Sequence, residues 1–405
     1  MLGLYIHIPF CKKICDYCDF ATIQAPERLY VEYLDLLEKE IRCFAARNRA
    51  VDARNSAAVF SAVAPPAATP TAAAPCAALS QVETLYLGGG TPSILPPELL
   101  DRLFQLLKTA GVPLKTLKEA TLEFNPESCT ADRLQVALEN GITRASLGLQ
   151  TFRPQLLSTV SRTHSVEQGL AALDLITKTP NLEVSADLMF NLPGQSQTDF
   201  LEDLERLSAF PLNHISFYGL KVDPRSRLGL RIARGELSID EDLYAPMYRD
   251  GVALLASRGF DRYETSNFAK PGHESLHNLN YWQRGEYLAF GPSAHGFYNG
   301  VRFAAPEKYA PWRDYVNAGC PTEGLSLDPI GPEERIAEYI QLSLRTKYGL
   351  DTSTLASYGA KISEKSIARW ESCGFLKRTQ NGMVLVNDGW PFMDRVVEDL
   401  YSNLE

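Results

Sequence analysis

From Leu2 to about Phe260, short apolar runs rich in β-branched and aromatic residues alternate with longer segments whose apolar residues return every three or four positions. The first kind predicts strands and the second helices. The strand segments are LGLYIHIPF (2–10), VETLYLGGG (82–90), EATLEFNPE (119–127), RASLGLQ (144–150), EVSADLMFNLPG (183–194) and HISFYGLKVDP (214–224). Helices are expected over 27–47, 96–110, 131–140, 166–177, 198–209 and 241–257. TADRL and SQTDF place a hydroxyl residue before an acidic first turn and predict helix starts. Such alternation predicts parallel strands joined by right-handed crossovers. Six units are too few to close an eight-unit barrel. The expected fold class is therefore α/β, with either a partial (β/α)6 barrel open on one side or a doubly wound sheet over residues 1–265.

Three stretches break the pattern. Residues 50–80 are Ala- and Pro-rich without a useful period, which predicts a disordered surface insertion with Cys76 no ligand. Residues 266–330 are dense in aromatics, His and Gly and are expected to link two bodies. From 331 to 405 a helix (332–348), the stretch DTSTLASYG, a second helix (363–373), two apolar runs around Asn381-Gly382 and a terminal helix predict a small winged-helix-like domain.

Composition narrows the function. The chain has 405 residues, 45% of them apolar and 22% charged, with formal charge −9. That sign disfavours a long nucleic-acid partner. From Ile330 onward nine Lys and Arg face eleven Asp and Glu, so the winged-helix-like part is not a basic recognition module and is expected to serve docking. No apolar run of about eighteen residues exists, so no membrane span is expected. The start of the chain resembles neither a signal nor a transit peptide, and five of the eight cysteines are scattered. A reducing, cytoplasmic location is expected.

The other three cysteines, Cys11, Cys15 and Cys18, sit within eight residues directly after the first strand. Three thiolates at CxxxCxxC spacing can face one iron–sulfur cube and leave its fourth iron open. A structural zinc site would need a nearby fourth ligand, where Phe20 stands. A redox CxxC leaves Cys11 without a role.

With YIHIPFCKKICDYCDF, GGGTPS, LEFNPES, LGLQT, RTHS and DLMFNLPGQ, the chain resembles the radical S-adenosylmethionine superfamily. Within it, the resemblance is to the oxygen-independent coproporphyrinogen III oxidases and their relatives. Phe20 in place of a further cysteine, a start directly on the first strand, and HNLNYW from His277 to Trp282 resemble the HemW (haem chaperone) branch. The resemblance implies a partial (β/α)6 barrel, a [4Fe–4S] cluster on Cys11, Cys15 and Cys18, and S-adenosylmethionine beside Tyr5, Gly89, Gly90, Thr91 and Glu123. Tyr17, Gln150, Arg162, Asp187 and Gly219 match a second S-adenosylmethionine site of the oxidases, so one or two molecules remain open. It implies haem as cargo and haem-requiring recipient proteins, some respiratory and membrane-associated. The alternative it leaves is oxidative decarboxylation of coproporphyrinogen III; no catalytic residue is assigned. His277 is expected either to ligate haem or hold the ligating geometry, or simply to hydrogen-bond and pack. His7 and His295 are expected to be structural or cofactor-orienting.

Overall fold

The computed structural model describes residues 1–52 and 76–405. The expected disordered insertion falls mostly on 53–75, outside the described residues. Its edges are structured: the first helix runs Glu27–Asp52, and Ala77–Ser80 forms a short helix beside the buried Cys76.

Six strands carry the architecture: β1 (Leu2–Ile8), β2 (Thr84–Gly89), β3 (Glu119–Phe124), β4 (Arg144–Gln150), β5 (Glu183–Phe190) and β6 (His214–Gly219). They lie side by side in chain order, each parallel to the next. A doubly wound sheet reverses its strand order at a switch point; this sheet does not. Of the two expected architectures, the partial (β/α)6 barrel is the one that forms. The barrel stays open, and further strands extend both edges. β7 (Asp261–Arg262) and β8 (Asn267–Ala269) continue antiparallel from β6. β9 (Glu286–Phe290) lies parallel to β1, and β10 (His295–Tyr298), β11 (Val301–Ala304) and β12 (Ser326–Pro329) follow antiparallel. Residues 266–330 break the strand–helix rhythm because their strands are short and mostly antiparallel.

Strand side chains alternate between two faces, and the two faces differ in chemistry. Leu85 and Leu87, Leu122 and Phe124, Leu147 and Leu149, Ala186 and Leu188, and Ile215 and Phe217 are buried against the helix layer. The opposite phase carries Tyr86, Glu123, Ser146, Asp187 and Ser216 into the barrel interior. The apolar phase drives collapse; the polar phase is left to form a site.

Helix ends follow local chemistry unevenly. Ser196 caps Gln197–Ser208 through a reciprocal box with Asp199. Thr130 precedes Ala131–Glu139 but caps nothing with its hydroxyl, which instead accepts from Arg133 Nη1 at 3.2 Å.

The carboxy-terminal part has its own core of Ile340, Leu344, Leu355, Ile367, Trp370 and Val396. Its helices Pro332–Ser343, Thr352–Ser357, Glu364–Ser372 and Met393–Ser402 surround β13 (Leu350–Asp351), β14 (Leu376–Arg378) and β15 (Gly382–Leu385), with β15 central. The hairpin over Asn381-Gly382 forms, giving the winged-helix-like arrangement. The first helix ends earlier than its periodicity predicts. It stops at Ser343, and the residues after it pair elsewhere, Thr346 bridging to Glu264 and Lys347 N–H donating to Tyr263 O at 2.9 Å.

Candidate cofactor site

The strand ends and the polar phase enclose a cavity of about 370 Å³. The chain leaves β1 through Pro9 and Phe10 and loops back so that Cys11 N–H donates to Ile23 O at 3.0 Å and Ile23 N–H to Pro9 O at 2.7 Å. This closure turns all three cysteines of the loop into the cavity. Each sulfur has a different polar neighbour: Thr91 Oγ1 at 3.7 Å from Cys11, Arg162 Nη1 at 3.7 Å from Cys15, and Thr22 Oγ1 at 4.0 Å from Cys18. No cysteine is in a disulfide. Burial pushes the Cys11 thiol up to about 11 and raises that of Cys18, a cost that metal binding reverses because a coordinating thiol is deprotonated outright. Phe20, 66% exposed, stands at the mouth.

The glycine turn after β2 is pinned to the exit of β1, with Gly90 N–H donating to Ile8 O and Thr91 N–H to Phe10 O, both at 2.8 Å. A Cβ on Gly90 would lie 2.6 Å from Phe10 O, and Gly89 has φ +110° with the His7 ring beside it. Beyond opening room for a ligand, these glycines are needed for the close packing of two chain segments. His7 is itself held, by Tyr5 OH at 3.0 Å and Ala21 O at 3.1 Å. His295 is exposed on β10.

Two carboxylates share the interior. Glu123 accepts from Tyr86 OH at 2.7 Å and from Gly89 N–H at 3.2 Å. Asp187 accepts from Ser146 Oγ at 3.2 Å. Burial pushes Glu123 up to about 7, with the charge of Asp187 adding to it, and burial pushes Asp187 up to about 6. Gln150 lies at a register irregularity with φ +72°, a strained backbone of the kind that gathers at functional sites. Thr121 Oγ1, Arg144 Nη2 and Arg162 Nε are buried without partners, and all three residues line the cavity.

Cys11, Cys15, Cys18, Tyr17, Gly89, Gly90, Thr91, Glu123, Gln150, Arg162 and Asp187 all line this one cavity. Tyr5, Gly219 and His277 do not. Tyr5 orients His7 from behind, and Gly219 makes room for Tyr244, whose hydroxyl would lie 2.6 Å from a Cβ there. His277 is fully buried. Its Nδ1 pairs with Thr84 Oγ1 at 2.9 Å and its Nε2 with Tyr281 OH at 2.7 Å, while Tyr86 stacks on its ring. The HNLNYW helix is anchored by Glu119, which accepts from Ser275 Oγ and from the N–H groups of Leu276 and His277.

Asn125 escaped the sequence reading. It donates to Thr91 Oγ1 and accepts from Arg162 Nη2, both at 2.8 Å, so it links the neighbours of Cys11 and Cys15. Its place just past β3, within LEFNPES, was the available signal.

The Radical SAM superfamily model matches residues 73–207. A heme chaperone HemW of Mycobacterium tuberculosis is 31% identical over 409 residues, covering 98% of this chain and 94% of that protein. The chain belongs to the HemW family. Its Lactococcus lactis member is 30% identical over 347 residues, 85% of this chain and 82% of that one. The solved coproporphyrinogen III oxidase HemN of Escherichia coli shares the fold, with a TM-score of 0.79 at 20% identity over 99% of this chain and 90% of that chain. Radical SAM membership implies a [4Fe–4S] cluster and S-adenosylmethionine, and the cavity fits both. Three free thiols, two buried carboxyls suited to a cationic ligand, and orphaned polar atoms face one space. Among the described residues no three His, Cys, Asp or Glu side chains converge as on a single ion; a cube instead takes each thiolate on a separate iron. No described helix is long and apolar enough to cross a membrane.

Proposed function

We propose that this protein is a cytoplasmic haem chaperone that binds haem and delivers it to haem-requiring proteins, holding a [4Fe–4S] cluster and S-adenosylmethionine in the barrel. The observation that supports this most is the convergence of Cys11, Cys15 and Cys18 with Glu123 and Asp187 on one cavity in a chain of the HemW family. A cluster with an open iron binds the amino and carboxylate groups of S-adenosylmethionine and can supply an electron to its sulfonium. The protein's part is positioning. Cys11, Cys15 and Cys18 hold the cluster at the exit of β1. The Gly89–Gly90–Thr91 turn and Glu123 flank the methionyl end of the ligand, where Glu123 meets its positive charge. Tyr17, Gln150, Arg162 and Asp187 complete the wall. Residues 1–265, 266–330 and 331–405 act as barrel, connector and docking domain.

Anaerobically reconstituted protein, incubated separately with haem and with coproporphyrinogen III, tests the reading. A Soret band with haem, its transfer to an apo-haem protein, and no protoporphyrinogen IX are expected. Turnover of coproporphyrinogen III without haem uptake would overturn it.

A further inference from the structure

A second cavity, of about 870 Å³, opens between the rim of the barrel and the carboxy-terminal domain. Its volume falls in the range of small-molecule sites, roughly 300–1,000 Å³. Tyr281, Trp282, Tyr287 and Phe297 form an aromatic wall, and Lys221, Arg284, Arg302 and Arg345 supply cations. Arg284 and Arg302 share a single carboxylate, Glu338, at 3.0 and 2.7 Å, and Arg345 pairs with Asp394, whose side chain is 86% exposed. Lys221 is exposed and has no anionic partner among the described residues. Four cations against two carboxylates leave two positive charges. Glu264, on the same wall, is pushed up to about 7 by burial, so at pH 7 it carries about half a negative charge and the wall keeps a net positive charge of between about one and two.

The wall is not independent of the first site. Tyr281 faces the second cavity while its hydroxyl holds His277 Nε2. The His277 ring stacks on Tyr86, whose hydroxyl donates to Glu123. The two cavities also share Tyr218, Lys221, Asn267 and Asn278.

We propose that this second cavity seats a planar tetrapyrrole bearing two carboxylates, with its ring on the aromatic wall and its carboxylates on Arg302, Arg345 and Lys221, and that His277 positions Tyr281 in that wall. This rests on the reading of haem as cargo. Aromatic faces stack on a flat π-system, and Arg recognises carboxylates by paired hydrogen bonds. Leu342 and Arg345 come from the carboxy-terminal side, so the seat is made jointly by both bodies.

The test is a Soret titration of the full chain with haem and with haem dimethyl ester, whose carboxylates are blocked. Wild-type protein should bind haem about tenfold or more tightly than the ester. Arg302→Gln/Arg345→Gln should weaken haem binding by about the same factor and erase the preference. Trp282→Leu should weaken both ligands alike. Iron content and the thermal transition report whether each variant folds; should the double variant not fold, the ester comparison on wild-type protein decides. Absence of haem binding by the wild type would overturn the chaperone reading itself. Equal affinity of wild-type protein for haem and ester would overturn only this site.

Discussion

The guanidinium of Arg162 stands 3.7 Å from the sulfur of Cys15 and at the same time donates to Asn125 Oδ1 at 2.8 Å and Gly148 O at 2.7 Å. A residue 147 positions from Cys15 thus places a cation beside one of the loop's sulfurs. The rigid guanidinium fork fixes where that cation lies, beside a sulfur that would bind iron. Arg162→Met should take up less iron on anaerobic reconstitution and lose about 1–2 kcal/mol of stability, because two partly buried acceptors lose their donor. Arg162→Lys should recover part of the iron but not the stability, since one ammonium cannot serve the fork. Wild-type iron content in both variants would show that the pair is incidental.

Changing Cys11, Cys15 and Cys18 together to Ala should abolish cluster absorption while leaving the far-ultraviolet circular dichroism intact. The three side chains line a cavity and are only partly buried, so the fold does not depend on them as it does on Leu4 or Ile6. About four irons per reconstituted triple variant would refute the assignment.

The six parallel strands and their helices were legible because each pairs a short apolar run with a 3.6-residue period, and crossover chirality does the rest. The period alone left partial barrel and doubly wound sheet open, because strand order is a tertiary property; the family resemblance is what pointed to the barrel. The antiparallel edge strands were missed: β7 is two residues long and β8 three, too short for any period to show. At the site, cysteine spacing and the glycine turn stood out locally. Asn125, Tyr86 and Ser146 did not, since each becomes informative only once adjacent strands align their polar phases.

With Glu123 at the proposed S-adenosylmethionine site, binding of that ligand should depend on pH. Its carboxyl, ordinarily near 4.5, is pushed up to about 7 in the folded protein because burial disfavours its charge. The raised value means that its contribution to folding is fully present below 4.5 and is lost as pH rises through 7. A cationic ligand prefers the carboxylate, so affinity should fall as pH drops from 8 to 6. Glu123→Gln should flatten that profile, weaken binding at pH 8, and stabilise the ligand-free protein there by up to about 3 kcal/mol. A wild-type affinity independent of pH across that window would remove Glu123 from the site.

His277 provides the last test, because both of its ring nitrogens are engaged and its ring is wholly enclosed. Burial lowers its basicity from 6.5 to about 3. Between those values the unfolded chain takes up a proton that the folded chain refuses. Its contribution to stability is therefore present above pH 6.5 and is lost as pH falls toward 3. His277→Gln should lose stability at pH 7 by roughly 1–3 kcal/mol, through the broken pairing with Thr84 or Tyr281. It should also show a shallower decline of stability between pH 6.5 and 4 than the wild type, since Gln does not titrate. Comparing the two proteins isolates this residue from His214, which is also buried and lowered. Haem affinity of the variant should weaken as Tyr281 loosens, with an unshifted Soret maximum, because a positioning residue does not touch iron. A displaced Soret maximum in a folded variant would instead make the imidazole an iron ligand, and would require the HNLNYW helix to open away from Thr84 when haem binds.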